Sequence, residues 1–393
     1  MTDRKHALLS ASGAHRWLIC TPSALLEEQF PDTSSEAARE GTLAHELAEL
    51  KLRHYFHPLD FNKRKLNAGI KKLKSHELWQ DEMMAYTDDF LDYVKSVALS
   101  LPGVPYVALE KKVDFSVYVP DGFGTADCIL IQGDTLIIID FKYGKSPTGR
   151  VEAEANPQLM LYALGAYENF KMFYAIKHIR LAIAQPRLQD GISEWSLPLG
   201  ELLEFGEFAS ARAELALTGE GEFSPDVDTC RWCRARAKCR ARADENIMMA
   251  FLARKEEKRP PLIGNDEVGS YLTQGEDVAA WLSDLKEYAL SECLAGREVA
   301  GYKAVEGRGS RDWSDMDLAF GALTDKGIAE EILWERKPLS VAQVEKVVGK
   351  KDFTNYVGEL VVKKPGKPTL VPESDKRDAI TNKITAQEAF KED

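Results

Sequence analysis

Apolar residues recur at helical spacing over residues 36–55, where Ala37, Leu43, Ala44, Leu47, Ala48, Leu50 and Leu52 outline one face of an amphipathic helix. His45 and Glu49 share another face of it, one turn apart. Residues 10–26 read as a helix carrying Trp17, Leu18, Ile19 and Cys20, broken or restarted at Pro22. A basic, weakly periodic stretch at 60–75 reads as a loop or short helix, and 81–101 as a helix stopped by Pro102. The period then changes to two. Residues 106–113 read as a strand, 115–119 as its continuation or a second strand, and 125–131 with 135–141 as a hairpin turned by Gln132, Gly133 and Asp134. Helices at 156–170 and 199–217 enclose a strand at 178–185. This order predicts an α/β sheet layered by helices.

The character shifts at the charged run 254–259, which with Pro260 and Pro261 reads as a linker. The expected organisation is a core with a helical cap over 1–245, a linker over 246–260 and a mainly helical addition over 261–393. Within that addition, helices are expected at 266–294, 315–335 and 340–350, a strand pair at 301–313 and a Lys/Pro-rich tail from Lys363. Its cations Lys303, Arg308, Arg311, Lys363, Lys364 and Lys367 could touch DNA or a partner, or be solvated surface.

Composition narrows the class: with 44% hydrophobic and 29% charged residues, no apolar run approaches the roughly 20 needed to cross a bilayer, so no membrane span is expected. Residues 1–12 lack the apolar stretch of a secretory signal, and a cytoplasmic protein is expected. A net charge of −12 argues against a general nucleic-acid coat protein but leaves room for local basic paths.

Chemistry concentrates on the predicted hairpin, where Gly124-Thr125-Ala126-Asp127 is followed thirteen residues later by Asp140-Phe141-Lys142 on the next strand. Carboxylates supply the hard oxygen ligands that Mg²⁺ or Mn²⁺ prefers, and phosphodiester cleavage uses such an ion. Lys142 shares a sheet face with Asp140 by the period of two. Upstream, Gly41, His45 and Glu49 follow a GxxxHxxxE spacing; downstream, Gln158 and Tyr162 are one helical turn apart. His45-Glu46 followed by Glu49 lacks the second histidine of a zinc-protease HExxH, and no G-x-S-x-G elbow or P-loop is present.

Together these motifs, over roughly residues 10–240, resemble the RecB-like branch of the PD-(D/E)XK nuclease superfamily. The resemblance implies a restriction-endonuclease-like α/β core. It assigns the divalent ion to His45, Asp127, Asp140 and the Phe141 carbonyl, and water activation to Lys142. Gln158 and Tyr162 would steady the site or the DNA strand, while Glu110 reads as a carboxylate on the rim.

Cys230-Arg231-Trp232-Cys233 with Cys239 is a metal signal that needs a fourth ligand. The AddB-type and CRISPR-adaptation members of the branch hold a 4Fe–4S cluster through one cysteine before the nuclease motifs and three after. Cys20 has the matching position. Zinc is the alternative, favoured by the C-x₂-C pair itself; Cys128 and Cys293 read as structural thiols. Arg231, Arg234, Arg236, Lys238, Arg240 and Arg242 interleave with the cysteines, and Arg234, Arg236 and Arg240 are candidate phosphate contacts.

The expected activity is a Mg²⁺- or Mn²⁺-dependent DNA nuclease, an exonuclease in end processing, recombination or phage replication, of phage or prophage type. A helicase or recombination partner would supply any unwinding. The alternative is a non-catalytic DNA-binding recombination accessory protein with a structural zinc site.

Overall fold

The computed structural model describes residues 7–31, 35–145, 149–188, 190–252, 265–335, 337–338, 340–372, 378 and 380. Its contacts divide the chain into two compact units, Met1–Asp277 and Val278–Asp393. The run 254–261 read as a linker lies outside the described residues, while 246–252 belong to a helix.

The first unit opens with two short helices, α1 (Ala14–Trp17) and α2 (Ser23–Glu27), the second starting directly after Pro22, where a break or restart is expected. Three helices follow: α3 (Glu36–Phe56), α4 (Lys63–Leu73) and α5 (Glu82–Ser100). Ser35 starts α3 by accepting from the Ala38 amide, and Asn62 starts α4 by accepting from that of Lys65. Strands β1 (Tyr106–Asp114), β2 (Phe123–Gln132) and β3 (Thr135–Phe141) form a meander. Helix α6 (Pro157–Phe170), capped by Asn156 with Pro157 in its first turn, then crosses over to β4 (His178–Ala184), parallel to β3. Strand β5 (Ile192–Pro198) completes a five-stranded sheet in sequential order before α7 (Leu199–Thr218), α8 (Val227–Arg231) and α9 (Arg240–Leu252).

Residues 115–119, expected in a strand, instead turn the chain, with Phe115 and Val119 both buried. Strand β5 escapes the sequence reading because its apolar residues Ile192, Trp195 and Leu197 do not keep a strict period of two and only Leu197 is buried, as suits an edge strand.

The sheet is covered on both faces. Leu43, Leu47 and Leu52 of α3 with Phe90 and Val94 of α5 pack on Leu130, Ile137 and Ile139. Leu161 and Leu164 of α6, Ala209 and Ala213 of α7 and Trp17 share the opposite core with Ile129, Ile131 and Ile138. The layering is α/β, as expected.

In the second unit, helix α10 (Asn265–Leu294), which begins in the first, is followed by β6 (Tyr302–Trp313) and α11 (Met316–Asp325). Then come β7 (Trp334–Glu335), β8 (Lys337–Pro338), α12 (Val341–Val348), α13 (Lys350–Val357) and β9 (Val361–Pro372). Strand β6 is one strand paired antiparallel with β9, not a pair in itself; its partner is the segment read as a tail. Phe320, Leu323, Leu333, Val344 and Phe353 form this unit's core. The side chains of Arg308, Lys363, Lys364 and Lys367 lie outside the described residues. No described helix is long and apolar enough to cross a membrane.

Candidate active site and cysteine cavity

One end of the sheet gathers most of the predicted polar residues. His45 projects from α3 with its ring edge-on to Phe141, 5.1 Å between centroids, and its Nδ1 is 3.5 Å from Asp127 Oδ1. The other carboxylate oxygen of Asp127 accepts the Phe141 amide at 2.7 Å, tying β2 to β3 beyond their last paired residues. Phe141 is itself fully buried and stacked on Phe90.

Asp140 and Lys142 both face α6. Lys142 Nζ lies 3.0 Å from Asp140 Oδ2 and donates to Gln158 Oε1 at 3.0 Å. Gln158 Nε2 in turn donates to Asp140 Oδ1 at 3.2 Å and to the Tyr162 hydroxyl at 3.1 Å. The helical spacing of Gln158 and Tyr162 therefore places both on the side of α6 that faces Asp140 and Lys142. Gly124 makes this possible, because a β-carbon there would collide with the Tyr162 ring.

Glu110, a further acidic candidate on the preceding strand, joins this group. Read from the sequence as a rim carboxylate, it is half-buried, and its ligand atom and those of His45 and Asp127 all lie within 4.8 Å of one another. Its φ of +46° interrupts β1 between the pairs Leu109–Cys128 and Lys111–Ala126. The alternation of β2 slips opposite it, since Ala126 joins one core and Cys128 the other. The register is the same on both sides of Glu110, so the positive φ re-aims its side chain in the middle of β1 without an inserted residue. A positive φ at a glutamate leaves no trace in the sequence pattern.

Electrostatics follow from burial among like and unlike charges. Burial, with Asp127 and Glu49 nearby, pushes the Glu110 carboxyl up to about 7. Burial likewise raises Asp140, against the opposing pull of Lys142. For Asp127 burial is outweighed by His45 and the Phe141 amide, so its carboxyl sits below the usual range. His45 and Lys142 also resist burial: their carboxylate neighbours hold both above their ordinary values. The donor set of one imidazole and clustered carboxylates fits a hard or borderline divalent cation.

The second constellation lies where the N-terminal segment meets α7 and α8. Cys20, Cys230, Cys233 and Cys239 line one cavity, together with Arg16 and Arg236. Arg212 donates to the Leu18 and Ile19 carbonyls, and Thr21 Oγ1 to that of Glu220, bringing Cys20 to the three later cysteines. Burial pushes the Cys230 thiol up to about 11 and that of Cys233 to about 12. Among the described residues, no three of these sulfurs approach within 4.8 Å of one another.

The neighbouring arginines do not form one surface. Arg231, Arg234 and Arg240 are exposed, whereas Arg236 turns towards the cavity. Arg242 is buried and ion-paired with Asp277 at 3.2 Å, so it leaves the predicted basic patch altogether. Cys128 is fully buried in the sheet core; Cys293 donates to the Tyr302 carbonyl at 3.8 Å.

Three solved structures are similar in part. SSO0001 aligns at a TM-score of 0.23 and 16% identity, over 56% of this chain and 95% of its own. A Eubacterium rectale chain provisionally named an exonuclease aligns at 0.32 and 12%, over 67% of this chain and 96% of its own. LHK-Exo in complex with dAMP aligns at 0.24 and 11%, over 45% and 91% respectively. A family model matches far more of the sequence, from residue 6 to residue 378, and the chain belongs to that family, described as Protein of unknown function (DUF2800).

Proposed function

We propose that this protein is a divalent-metal-dependent DNA nuclease whose site is formed by His45, Glu110, Asp127, Asp140, Lys142, Gln158 and Tyr162. The carrying observation is the convergence of residues from α3, β1, β2, β3 and α6 on one sheet end, with three ligand atoms mutually within 4.8 Å. Mg²⁺ or Mn²⁺ would be held by His45, Asp127 and Glu110, with Asp140 and the Phe141 carbonyl completing the set. When bound it would polarise a phosphoryl oxygen. Lys142, held protonated by Asp140 and Asp127, acts as a donor that orients water and neutralises charge developing on the phosphate. Gln158 fixes the amine and carboxylate of that pair, and Tyr162 fixes Gln158. Exonucleolytic action in end processing or recombination, with a helicase-type partner, is the finer reading from the motif resemblance.

Purified protein is expected to degrade DNA with Mn²⁺ or Mg²⁺ and not in chelator. Asp140→Ala and Lys142→Ala should each lower the rate by about a hundredfold or more. Cleavage surviving both substitutions would overturn the site.

We further propose that the four cavity cysteines hold a 4Fe–4S cluster. A single Zn²⁺ bound at about 2.3 Å by each thiolate needs sulfurs about 3.8 Å apart. Separate irons of a cluster take thiolates spread further apart, and one cavity lined by all four cysteines gives them a common group to hold. Anaerobically purified protein should be brown, with about four irons per chain. Cys20→Ala should lose iron, and Cys128→Ala should keep it. A colourless protein with stoichiometric zinc would refute the cluster and leave the nuclease reading standing.

A further inference from the structure

Helix α4 is built with two unlike faces. Leu66, Gly69, Ile70 and Leu73 follow the spacing of one helical stripe. That stripe seats on α3, so closely that a β-carbon on Gly69 would lie 2.6 Å from Leu50 Cδ1. The remaining surface carries Lys63, Arg64, Lys65, Lys71 and Lys72, with Lys74 just beyond, all exposed. No carboxylate side chain occurs from residue 61 to residue 76.

In a chain with 63 acidic and 51 basic residues, such cations would ordinarily find partners. Lys65 instead donates to the Asp60 backbone carbonyl, and Lys74 lies over the Trp79 ring. Among the described residues, Lys63, Arg64, Lys71 and Lys72 form no ion pair. The segment is a concentrated, uncompensated positive surface on an otherwise acidic protein.

Its position gives the charge a direction. Leu50, the seat of α4, is five residues after His45 on α3, about 7 Å along the helix axis. The basic surface thus lies on the helix seated against the one that carries His45, which suits a phosphodiester backbone passing from one to the other. An amphipathic helix that binds membranes needs its apolar face free for insertion, and here α3 covers that face.

Resting on the nuclease reading above, we infer that α4 is the track that binds the DNA phosphate backbone beside the site, through Lys63, Arg64, Lys71 and Lys72. The contact is non-specific in sequence, since phosphate contacts position the strand without reading bases.

The test replaces all four residues with glutamine in the full chain and measures affinity for a duplex and a single strand of one sequence, from about 50 to 200 mM salt. The variant should bind the favoured form more weakly, with a log K against log salt slope shallower by about two to four, at roughly 0.9 (duplex) or 0.7 (single strand) for each phosphate that the helix ceases to neutralise. Its thermal midpoint, Mn²⁺ affinity and hydrolysis of a small chromogenic thymidine phosphodiester should match the parent. An unchanged slope in a folded variant overturns the track, even if the parent cuts DNA. A shallower slope, where the parent itself never cuts DNA, upholds the track and sinks the nuclease reading. Tighter α4-dependent binding to phosphatidylserine vesicles or polyglutamate than to DNA overturns the assignment of the partner.

Discussion

Gly124 and Tyr162 are in such close register that a β-carbon on the glycine would lie 2.5 Å from Cε1 of the ring. The glycine of the GxxD motif therefore serves the tyrosine of the QxxxY motif. Gly124→Ala should push the ring away and loosen the Gln158 amide it anchors. The expected outcome is about 1–3 kcal/mol of lost stability and a fall in cleavage of about tenfold or more. Thermal unfolding and a nuclease assay check both; full activity at the parental midpoint would show that the ring yields freely.

Glu110 should count as a ligand and not as rim charge. Glu110→Ala is expected to weaken Mn²⁺ binding by about tenfold or more, read by titration calorimetry, while the fold persists. Parental affinity in the variant would return Glu110 to the rim.

The contrast between these two residues shows what was legible in the sequence. Gly124, His45, Asp127, Asp140, Gln158 and Tyr162 lie in regular elements and Lys142 directly after β3, so period and spacing make the elements that carry them legible. Glu110 depends on a positive φ, which period-two reading cannot see. Strand β9 was likewise hidden, because Lys363, Lys364 and Pro365 read as tail until β6 pairs with them. Arg242 reads as patch charge, and only the distant Asp277 turns it inward.

Arg187 follows β4 and is almost fully enclosed. It pairs with Glu40 of α3 at 3.0 Å and with Glu82 of α5, and its guanidinium lies 4.4 Å over the Tyr143 ring. Arg187→Ala strands the largely enclosed Glu40, while Glu82 stays open to solvent, and should cost about 1–3 kcal/mol in a denaturant titration. Lysine should recover only part, because it lacks the planar fork and the stacking surface. A loss below about 1 kcal/mol would mean that the pairs behave as surface bridges.

Lys51 is buried between α3 and α5, donating to the Met84 carbonyl and to Asp88. Burial holds its ammonium below the usual 10.5, against the pull of Asp88. Between the folded and unfolded values the native chain binds fewer protons than the unfolded one, so stability rises with pH in that alkaline window. The parent should therefore gain stability from pH 8 to pH 10 relative to Lys51→Met. A parent that lost ground to the variant over that range would have the sign reversed.

The N-terminal segment is stitched to the core late in the sequence: Arg212 holds the Leu18 carbonyl at 2.6 Å, and Thr21 holds that of Glu220 at 2.8 Å. On a ribosome adding about 5–20 residues per second, the first turns of this protein are made roughly ten to forty seconds before the helix that receives them. Trp17 and Leu18, buried in the finished fold, lack the cover of α7 throughout that interval. Residues 18–21 thus wait for partners some two hundred positions downstream, and these hydrogen bonds can close only once the polypeptide has passed residue 220.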